Sequence, residues 1–426
     1  MTAMTNLRTR AFDRRALEPV ADWLAVGVAV SLPWSTTATG ILVALWLLAV
    51  LPTLDIAAAL RKIATPAGGL PVLLWALATL GLFWADVSWS ERFSGYSAFH
   101  RFLAIPLLLA QFHRSKYGMR VLLGFLVSVI GVMLVSWLLV LFPALPSRPD
   151  QPGVPVKDYI LQSEEFLICA VVLLGIAFDK ARLGRWRSVA GLVCIALLFV
   201  ADIVFVASGR TAFLVAPVLF LMLGWRQYRW RGLLGAALLF AVVGGVAAFE
   251  SPYLHQRLSQ SVSELHAFES RDAVNSTSLH LEFLQESLSF VATAPVIGHG
   301  TGSIGEQFRD AAVGQTGPAA LGTVNPHNQI FAVAIQLGMV GAAVLVAMWI
   351  AHLMLFRGAG LTAWIGLVLV AQNVVASTFN SHLFDFTQAW LYIFGVGVTG
   401  GMAMRQRNGT VAAHPKENHA PNPVAA

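Results

Sequence analysis

The chain has 426 residues, of which 57% are hydrophobic and only 12% are charged, and its formal net charge is +6. A soluble domain has about a quarter of its residues charged, so this composition excludes an ordinary soluble protein. Apolar runs of about 20 residues recur along the chain, as in a helical membrane protein, whereas the strands of a membrane barrel are short and alternate. The basic residues are scattered among short loops, which argues against nucleic-acid binding.

The apolar segments predict an all-α polytopic membrane protein with about 12 transmembrane helices. Residues 1–19 are polar and basic, residues 20–249 contain most of the apolar segments, and residues 250–326 form one long polar interval. Residues 327–404 contain the remaining apolar segments, and residues 405–426 are polar, so we expect a disordered tail there. The spans are expected at 20–32, 37–51, 69–85, 96–112, 119–142, 161–178, 188–206, 211–225, 231–249, 327–356, 361–380 and 384–403.

The distribution of Lys and Arg predicts the orientation of the chain. If the N-terminus is inside, 20 of the 28 Lys and Arg residues fall in inside segments, as the positive-inside rule requires. Both termini are then inside, and the interval 250–326 lies outside the membrane. The basic residues that remain outside run against the rule, and these include Arg210, Arg257 and Arg271.

Two helices and a tight turn are expected within the long polar interval. Between residues 253 and 268, apolar side chains recur at three- to four-residue steps, which is typical of an amphipathic helix on a membrane surface. A second helix is expected at 278–292. Proline and three glycines follow at 295–302, which predicts a tight turn. This turn either binds an anion through its backbone amides or simply redirects the chain.

A histidine stands where the polar interval meets the next apolar segment. Asn325 and Pro326 precede it and suit the entry into a helix, with Pro326 at or near its first turn. His327 then lies at the helix start, where the helix dipole favours the neutral imidazole that a general base needs. The same pattern also fits a boundary histidine that only makes hydrogen bonds at the interface.

The three outside arginines are candidates for binding phosphate. Arg210 stands in a very short turn between two apolar segments, whereas Arg257 and Arg271 lie in the long interval. A guanidinium group stays charged and binds phosphate through two parallel hydrogen bonds, so these residues together suit a lipid-linked pyrophosphate. Arg210 is equally suited to contacting lipid headgroups, and the other two to facing solvent.

Several carboxylates are further candidates. Glu282 and Glu286 are spaced to share one helix face, where they form either an acid–base pair or a solvated surface. Glu164 and Glu165 lie near an outer helix end and are similarly ambiguous. No tight His, Asp or Glu spacing predicts a metal site, and we find no Asp-x-Asp motif for Mg²⁺, so no metal or cofactor is expected.

These motifs resemble a known family over residues from about 160 to 400. The chain has one long outside loop, a Pro-x-x-Gly-x-Gly-x-Gly turn at 295–302, and Pro326-His327-Asn328 followed by Gly338 and Gly341. It also has Ser-Gly-Arg-Thr at 208–211 in a turn between two spans. This combination is similar to the O-antigen ligase and O-antigen polymerase superfamily.

The resemblance implies a GT-C-like fold in a bacterial inner membrane and a periplasmic site. O-antigen ligases transfer a polysaccharide from undecaprenyl diphosphate to lipid A–core without a metal or nucleotide. By this resemblance His327 is the catalytic base and Arg210 binds the diphosphate. His280 stands where the family usually has a second arginine, so Arg271 or Arg257 is expected to replace it. Asn328 or a loop carboxylate such as Glu282 is expected to orient the imidazole, and His280 is a further supporting candidate.

Two kinds of alternative function remain at this point. Within the superfamily, the protein is alternatively an O-antigen polymerase or a protein oligosaccharyltransferase. A transporter of lipid or polysaccharide is the alternative of another class. A transporter should have ionisable residues in the middle of its spans, and Asp202 and Arg101 are the main candidates for such residues.

Overall fold

The structure is a computed structural model that describes residues 14–145, 151–250 and 276–413. All regular secondary structure in these ranges is helical. The first helices are α1 (Arg14–Ser31), α2 (Thr36–Val50), α3 (Ile56–Ile63), α4 (Pro66–Gly81), α5 (Trp89–Phe99), α6 (Ala104–Arg114), α7 (Gly118–Leu141) and α8 (Tyr159–Arg182). They are followed by α9 (Trp186–Phe205), α10 (Arg210–Glu250), α11 (Ser276–Thr293), α12 (Ile304–Ala312), α13 (Gln329–Leu355), α14 (Leu361–Ala376) and α15 (Phe386–Ala413).

Several of these helices are long and apolar enough to cross a bilayer, so the chain is a multi-pass membrane protein. By length and composition, 6 described helices qualify, or 7 if α3 and α4, which meet at an 85° bend, count as one broken span. The prediction of about 12 spans is not confirmed by this measure. One reason is that the expected span 96–112 is broken by a 3₁₀ turn at His100–Leu103. Another is that α14 has only 16 residues.

Helix α10 reverses direction and consists of two antiparallel legs. Its backbone leaves the helical region at Tyr228 (φ −135°, ψ 18°) and Arg229 (φ 55°, ψ −135°). The rings of Phe220 and Phe240 are 5.4 Å apart, whereas a straight helix would separate these positions by about 30 Å. The two expected segments 211–225 and 231–249 therefore correspond to the two legs of α10.

The polar ends of the chain are more helical than expected. Helix α1 begins at Arg14, inside the arm expected at 1–19, and residues 1–13 lie outside the described ranges. Helix α15 continues to Ala413, so residues 405–413, within the tail that was expected to be disordered, are helical. Residues 414–426, like the amphipathic helix expected at 253–268, lie outside the described residues.

Helix α8 is the central element of the membrane part. It packs against α9, α10 and α14, and 78% of its apolar stretch is buried. The fully buried rings of Phe166 and Phe199 lie 4.9 Å apart across the α8–α9 contact. Because α8 is enclosed, Glu164 and Glu165 near its N-terminal end are also buried, at 0% and 2% exposure.

A second, smaller apolar cluster joins α11 and α12 to α13. Phe283 and Phe290 of α11 pack against Phe308 of α12, with ring centroids 5.4 and 5.0 Å apart. Ala332 and Ile335 from the first turns of α13 complete the cluster. Burying aromatic side chains stabilises such contacts, so α11 and α12 are fixed against the N-terminal end of α13. The residue that precedes this end by two positions is His327.

Candidate active site

His327 has an unusual backbone conformation for a residue other than glycine. Its φ of 53° lies in the left-handed region, which is strained for most residues and clusters at functional sites. Asn325 imposes this conformation, because its side-chain oxygen accepts the His327 N–H at 2.9 Å in an Asx turn. Helix α13 begins at Gln329, so Pro326 lies three positions before its first residue, near the first turn.

Two aromatic rings of α11 surround the His327 imidazole. The His280 ring is 4.4 Å from it, and the Phe283 ring lies nearly parallel to it at 6.0 Å and 11°. Burial, and to a smaller extent the charge of His280, lower the pKa of His327 to about 4, although Asn380 and Asp385 act to raise it. At neutral pH the imidazole is therefore uncharged and able to accept a proton.

Asn328 fixes the start of α13 and not the imidazole ring. Its side-chain oxygen accepts the N–H groups of Ile330 and Phe331 at 2.9 and 3.2 Å. Its amide nitrogen donates to the Thr378 carbonyl at 3.2 Å. An asparagine in this N-cap position satisfies helix amides that would otherwise lack a partner. Asn328 thus supports His327 through the backbone.

Asn380, in the loop between α14 and α15, connects His327 to an acidic side chain. Its side chain makes a hydrogen bond with His327 and accepts the Asn325 amide at 2.7 Å. It also donates to Asp385 Oδ2 at 3.3 Å. Asp385 raises the pKa of His327 through its charge, so this carboxylate stabilises the protonated imidazole.

A buried ion pair anchors the same loop to α8. His382 Nε2 lies 3.3 Å from Glu164 Oε1, and His382 Nδ1 lies 3.6 Å from Asp385 Oδ2. The other Glu164 oxygen accepts the side-chain amides of Gln372 and Gln388. Burial lowers the pKa of His382, but the charge of Glu164 and bonds to Asp385 and Glu164 outweigh it, raising the pKa to about 9. His382 is therefore charged at neutral pH.

Asn380, His382 and Asp385 were not predicted from the sequence as residues of this site. Glu164 and Glu165 indicate that such a residue exists, because charged side chains buried in a membrane protein need a partner. That partner, His382, stands in a short polar loop far along the chain. The contact between His382 and α8 could not be predicted from residue spacing along the sequence, because the two segments meet only in the folded protein.

The glycine turn is a packing element and not an anion cradle. Gly298, Gly300 and Gly302 have φ values of 70°, 92° and 93°, as expected for a tight turn. The amides of this turn are used within the protein: His299 N–H donates to Ile335 O at 2.8 Å, Gly300 N–H to Gln336 O at 2.9 Å and Gly302 N–H to Gln336 Oε1 at 2.7 Å. The alternative in which the turn only redirects the chain is therefore the one that fits.

Helix α13 is interrupted where the glycine turn packs against it. Gly338 has φ 64° and ψ −167°, and a Cβ atom at this residue would lie 2.1 Å from the Val296 carbonyl oxygen. Met339 N–H donates to the Pro295 carbonyl at 2.8 Å instead of to a helical partner. The break therefore lets residues 295–302 bond directly to the backbone of α13 and fixes the segment that follows His327.

Arg210 lies at the same end of the molecule as His327. Arg210 is exposed at the first position of α10, and its neighbour Gly209 packs against Ser163 of α8. Ser163 adjoins Glu164, which contacts the loop bonded to His327. We call this end of the molecule the His327 side. Arg257 and Arg271 lie outside the described residues.

The two carboxylates of α11 lie on its partly exposed surface. Burial, together with the smaller effect of the charge of Glu282, raises the pKa of Glu286 to about 7. The two side chains therefore interact with each other, as their spacing predicts. Within the described part of the chain, His, Cys, Asp and Glu side chains do not form a group of three that could hold a metal ion.

The fold and the site define a multi-pass helical membrane protein with a neutral histidine at the start of a broken span. Residues 195–346 match the O-antigen ligase family model, so the resemblance to this family is confirmed over that segment. The segment includes Arg210, His280, Glu282, His327 and Asn328. No curated protein matches the chain.

Proposed function

We propose that the protein is an O-antigen ligase of the bacterial inner membrane. It transfers a polysaccharide from undecaprenyl diphosphate to the lipid A–core acceptor by metal-independent, inverting glycosyl transfer, with His327 as the base. The observation that carries this proposal is the position of His327 within the segment that matches the O-antigen ligase family. There it is neutral, strained in its backbone and bonded to the Asn380–Asp385 pair.

His327 removes a proton from the acceptor hydroxyl as this hydroxyl attacks the anomeric carbon. A base with a pKa of about 4 is weak for this purpose, since general bases work best when their pKa is near the operating pH. Binding of an anionic diphosphate raises the pKa of His327 toward the operating pH, because negative charge near an imidazole stabilises its protonated form. Asp385 then stabilises the imidazolium as it forms. Substrate binding thus increases the basicity of His327.

Arg210 binds the diphosphate and stabilises the charge that develops on it as the sugar leaves. The second arginine is Arg271 or Arg257. Because α10 reverses at Tyr228 and Arg229, its last residue, Glu250, returns to the side where Arg210 begins. The segment that carries Arg257 and Arg271 starts there, and this supports their assignment to the diphosphate.

The proposal includes a topology for the chain. Both termini are cytoplasmic, the His327 side is periplasmic, and about 12 spans form a GT-C-like arrangement. The excess of Lys and Arg in the inside segments supports this orientation. The two legs of α10 support the larger number of spans, because each leg is about 30 Å long if helical throughout.

The test is a transfer assay with purified protein, undecaprenyl-diphosphate glycan and lipid A–core in the presence of EDTA. Wild type is expected to extend lipid A–core, and His327→Ala to lose roughly 10²–10⁴-fold in rate, the usual contribution of a positioned base. The matched control is His113→Ala, which removes a histidine at the end of α6. Size exclusion and thermal unfolding confirm that each variant is folded.

Other outcomes of this assay identify the alternatives. Longer chains on undecaprenyl diphosphate, with lipid A–core unchanged, identify a polymerase, and transfer to an acceptor protein identifies an oligosaccharyltransferase. A folded His327→Ala variant with full activity contradicts the role of His327. If no glycan product forms under any condition, the transporter alternative replaces the ligase.

A further inference from the structure

A large cavity lies on the side of the membrane opposite to His327. It is lined by α8, α10 and α14 together with the end of α13 and the loop that follows it, and it has a volume of about 1050 Å³. It lies where the two legs of α10 meet, at the break at Tyr228 and Arg229. From Ser163 on the His327 side, α8 extends to Arg182 in the cavity wall, a rise of about 28 Å. The cavity is therefore separate from the proposed transfer site.

The wall of this cavity is strongly cationic. Four arginines line it, namely Arg182, Arg226, Arg229 and Arg357, and Asp179 is the one acidic residue among the described residues of the wall. Asp179 neutralises only one of these charges. Four guanidinium groups around one cavity favour an anionic occupant, and arginine is the side chain best suited to phosphate.

The arginines are oriented by their neighbours. Arg226 is paired with Asp179 at 2.9 Å and lies 4.8 Å from the Trp364 ring centre. Its Nη1 is buried and has no hydrogen-bond partner among the described residues. Arg229 lies 5.6 Å from the Trp225 ring centre. Stacking on tryptophan restricts a guanidinium group, so these donors are oriented for a ligand, and Arg226 Nη1 requires an acceptor.

The remainder of the wall is apolar and belongs to membrane-spanning helices. Val218, Leu221 and Met222 of the first leg of α10 contribute to it, with Leu233 of the second leg and Leu367 of α14. A soluble anion would leave this surface exposed, whereas a lipid covers it with its acyl chains while its phosphate meets the arginines. Basic pockets between transmembrane helices bind lipid headgroups in this manner.

We propose that this cavity binds the phosphate headgroup of an anionic membrane lipid from the leaflet opposite to His327. The proposal is independent of the transfer reaction, since it concerns different residues and the other membrane face. The Lys and Arg bias assigns this face to the cytoplasm. The bound lipid fills the junction of α8, α10 and α14.

The experiment measures lipid binding by native mass spectrometry of the full chain in detergent. Phosphatidylglycerol is titrated against phosphatidylcholine with the same acyl chains, and inorganic pyrophosphate is the soluble anion. Phosphatidylglycerol is expected to bind selectively. The double variant R229Q/R357Q is expected to weaken it by roughly 30-fold, which is about 2 kcal/mol for two arginines near an anionic lipid.

The matched control is the double variant R185Q/R187Q. It removes two exposed arginines that follow α8 but do not line the cavity, and it should bind phosphatidylglycerol like wild type. Equal binding of the two lipids, or unchanged binding by R229Q/R357Q in a folded protein, overturns the proposal. Displacement of phosphatidylglycerol by pyrophosphate at similar concentrations also overturns it, because the site would then select a soluble anion.

Discussion

The protonation of His327 is controlled by neighbours that act in opposite directions. Burial and His280 lower its pKa to about 4, while Asn380 and Asp385 raise it. Only the neutral form accepts a proton, so activity should be lost as the pH falls through this pKa. In the pH dependence of kcat/KM, which reports the free enzyme, wild type should keep its activity below the ordinary histidine value of 6.5.

Two comparisons sharpen this prediction. His280→Asn should move the acid limb of kcat/KM upward but keep it below 6.5, because burial of His327, the larger cause, remains. The acid limb of kcat, which reports the substrate complex, should lie above that of kcat/KM if the diphosphate raises the pKa. Identical limbs in the two profiles would contradict the proposed role of the diphosphate charge.

The ion pair between His382 and Glu164 predicts a loss of stability at alkaline pH. The folded-state pKa of His382, about 9, is above its ordinary 6.5, so the stabilisation is complete below 6.5 and lost as the pH rises through 9. In thermal unfolding, wild type should therefore lose stability between pH 7 and 10. Glu164→Gln should be destabilised at pH 7, by about 3–5 kcal/mol as for other broken buried pairs, and should show a flatter pH dependence.

A control for this effect exists at the other end of the same helix. Asp179→Asn breaks the ion pair between α8 and Arg226, and arginine does not titrate in this range. Its difference from wild type should stay constant from pH 7 to 10. If Glu164→Gln keeps the wild-type pH dependence, the pair is not the cause of the alkaline loss.

At the scale of elements, the break in α13 is the feature most sensitive to substitution. Gly338→Ala forces a left-handed conformation on alanine, at a cost of about 1–3 kcal/mol, and places its Cβ against the Val296 carbonyl. We expect a lower Tm and a loss of transfer, since the glycine turn no longer fits against α13. Gly191→Ala in α9 is the control, because nothing lies within 4 Å of the added Cβ there. An unchanged Tm for Gly338→Ala would contradict this account.

Elements with strong local signals could be predicted from the sequence. The helix expected at 278–292 is Ser276–Thr293, and the span expected at 119–142 is Gly118–Leu141. Propensity and apolar runs determine such segments. The break at Gly338 could not be predicted, because it depends on the glycine turn of a different segment bonding to the α13 backbone.

The candidate site could be predicted only in part, because some of its residues have a local signal in the sequence and others do not. His327 and His280 were identified by position and by resemblance, and the structure brings their rings together. The Asn380–Asp385–His382 network was missed, since its members are recognisable only by what they contact in three dimensions. The expected role of Asn328 at the imidazole differs from its observed bonds, because helix capping uses its side-chain oxygen.

At the scale of the whole molecule, the proposed orientation can be measured by labelling. In a Cys194→Ser background, which removes the exposed native cysteine and leaves buried Cys169, single cysteines are introduced as Val313→Cys and Leu183→Cys. These positions are 78% and 67% exposed. A membrane-impermeant maleimide added outside the inner membrane should label position 313 only, and position 183 should require permeabilisation. The reverse pattern would place His327 in the cytoplasm.

The left-handed backbone of His327 sets stability and function against each other at a single position. Glycine or asparagine adopts a φ of 53° with less strain than histidine does. Either residue would therefore relax the turn while removing the imidazole. Screening a directed-evolution library for heat resistance alone should enrich glycine or asparagine at position 327. The selected variants should be more thermostable but lack transfer activity. Engineering this protein for thermostability therefore requires a simultaneous selection for glycan transfer.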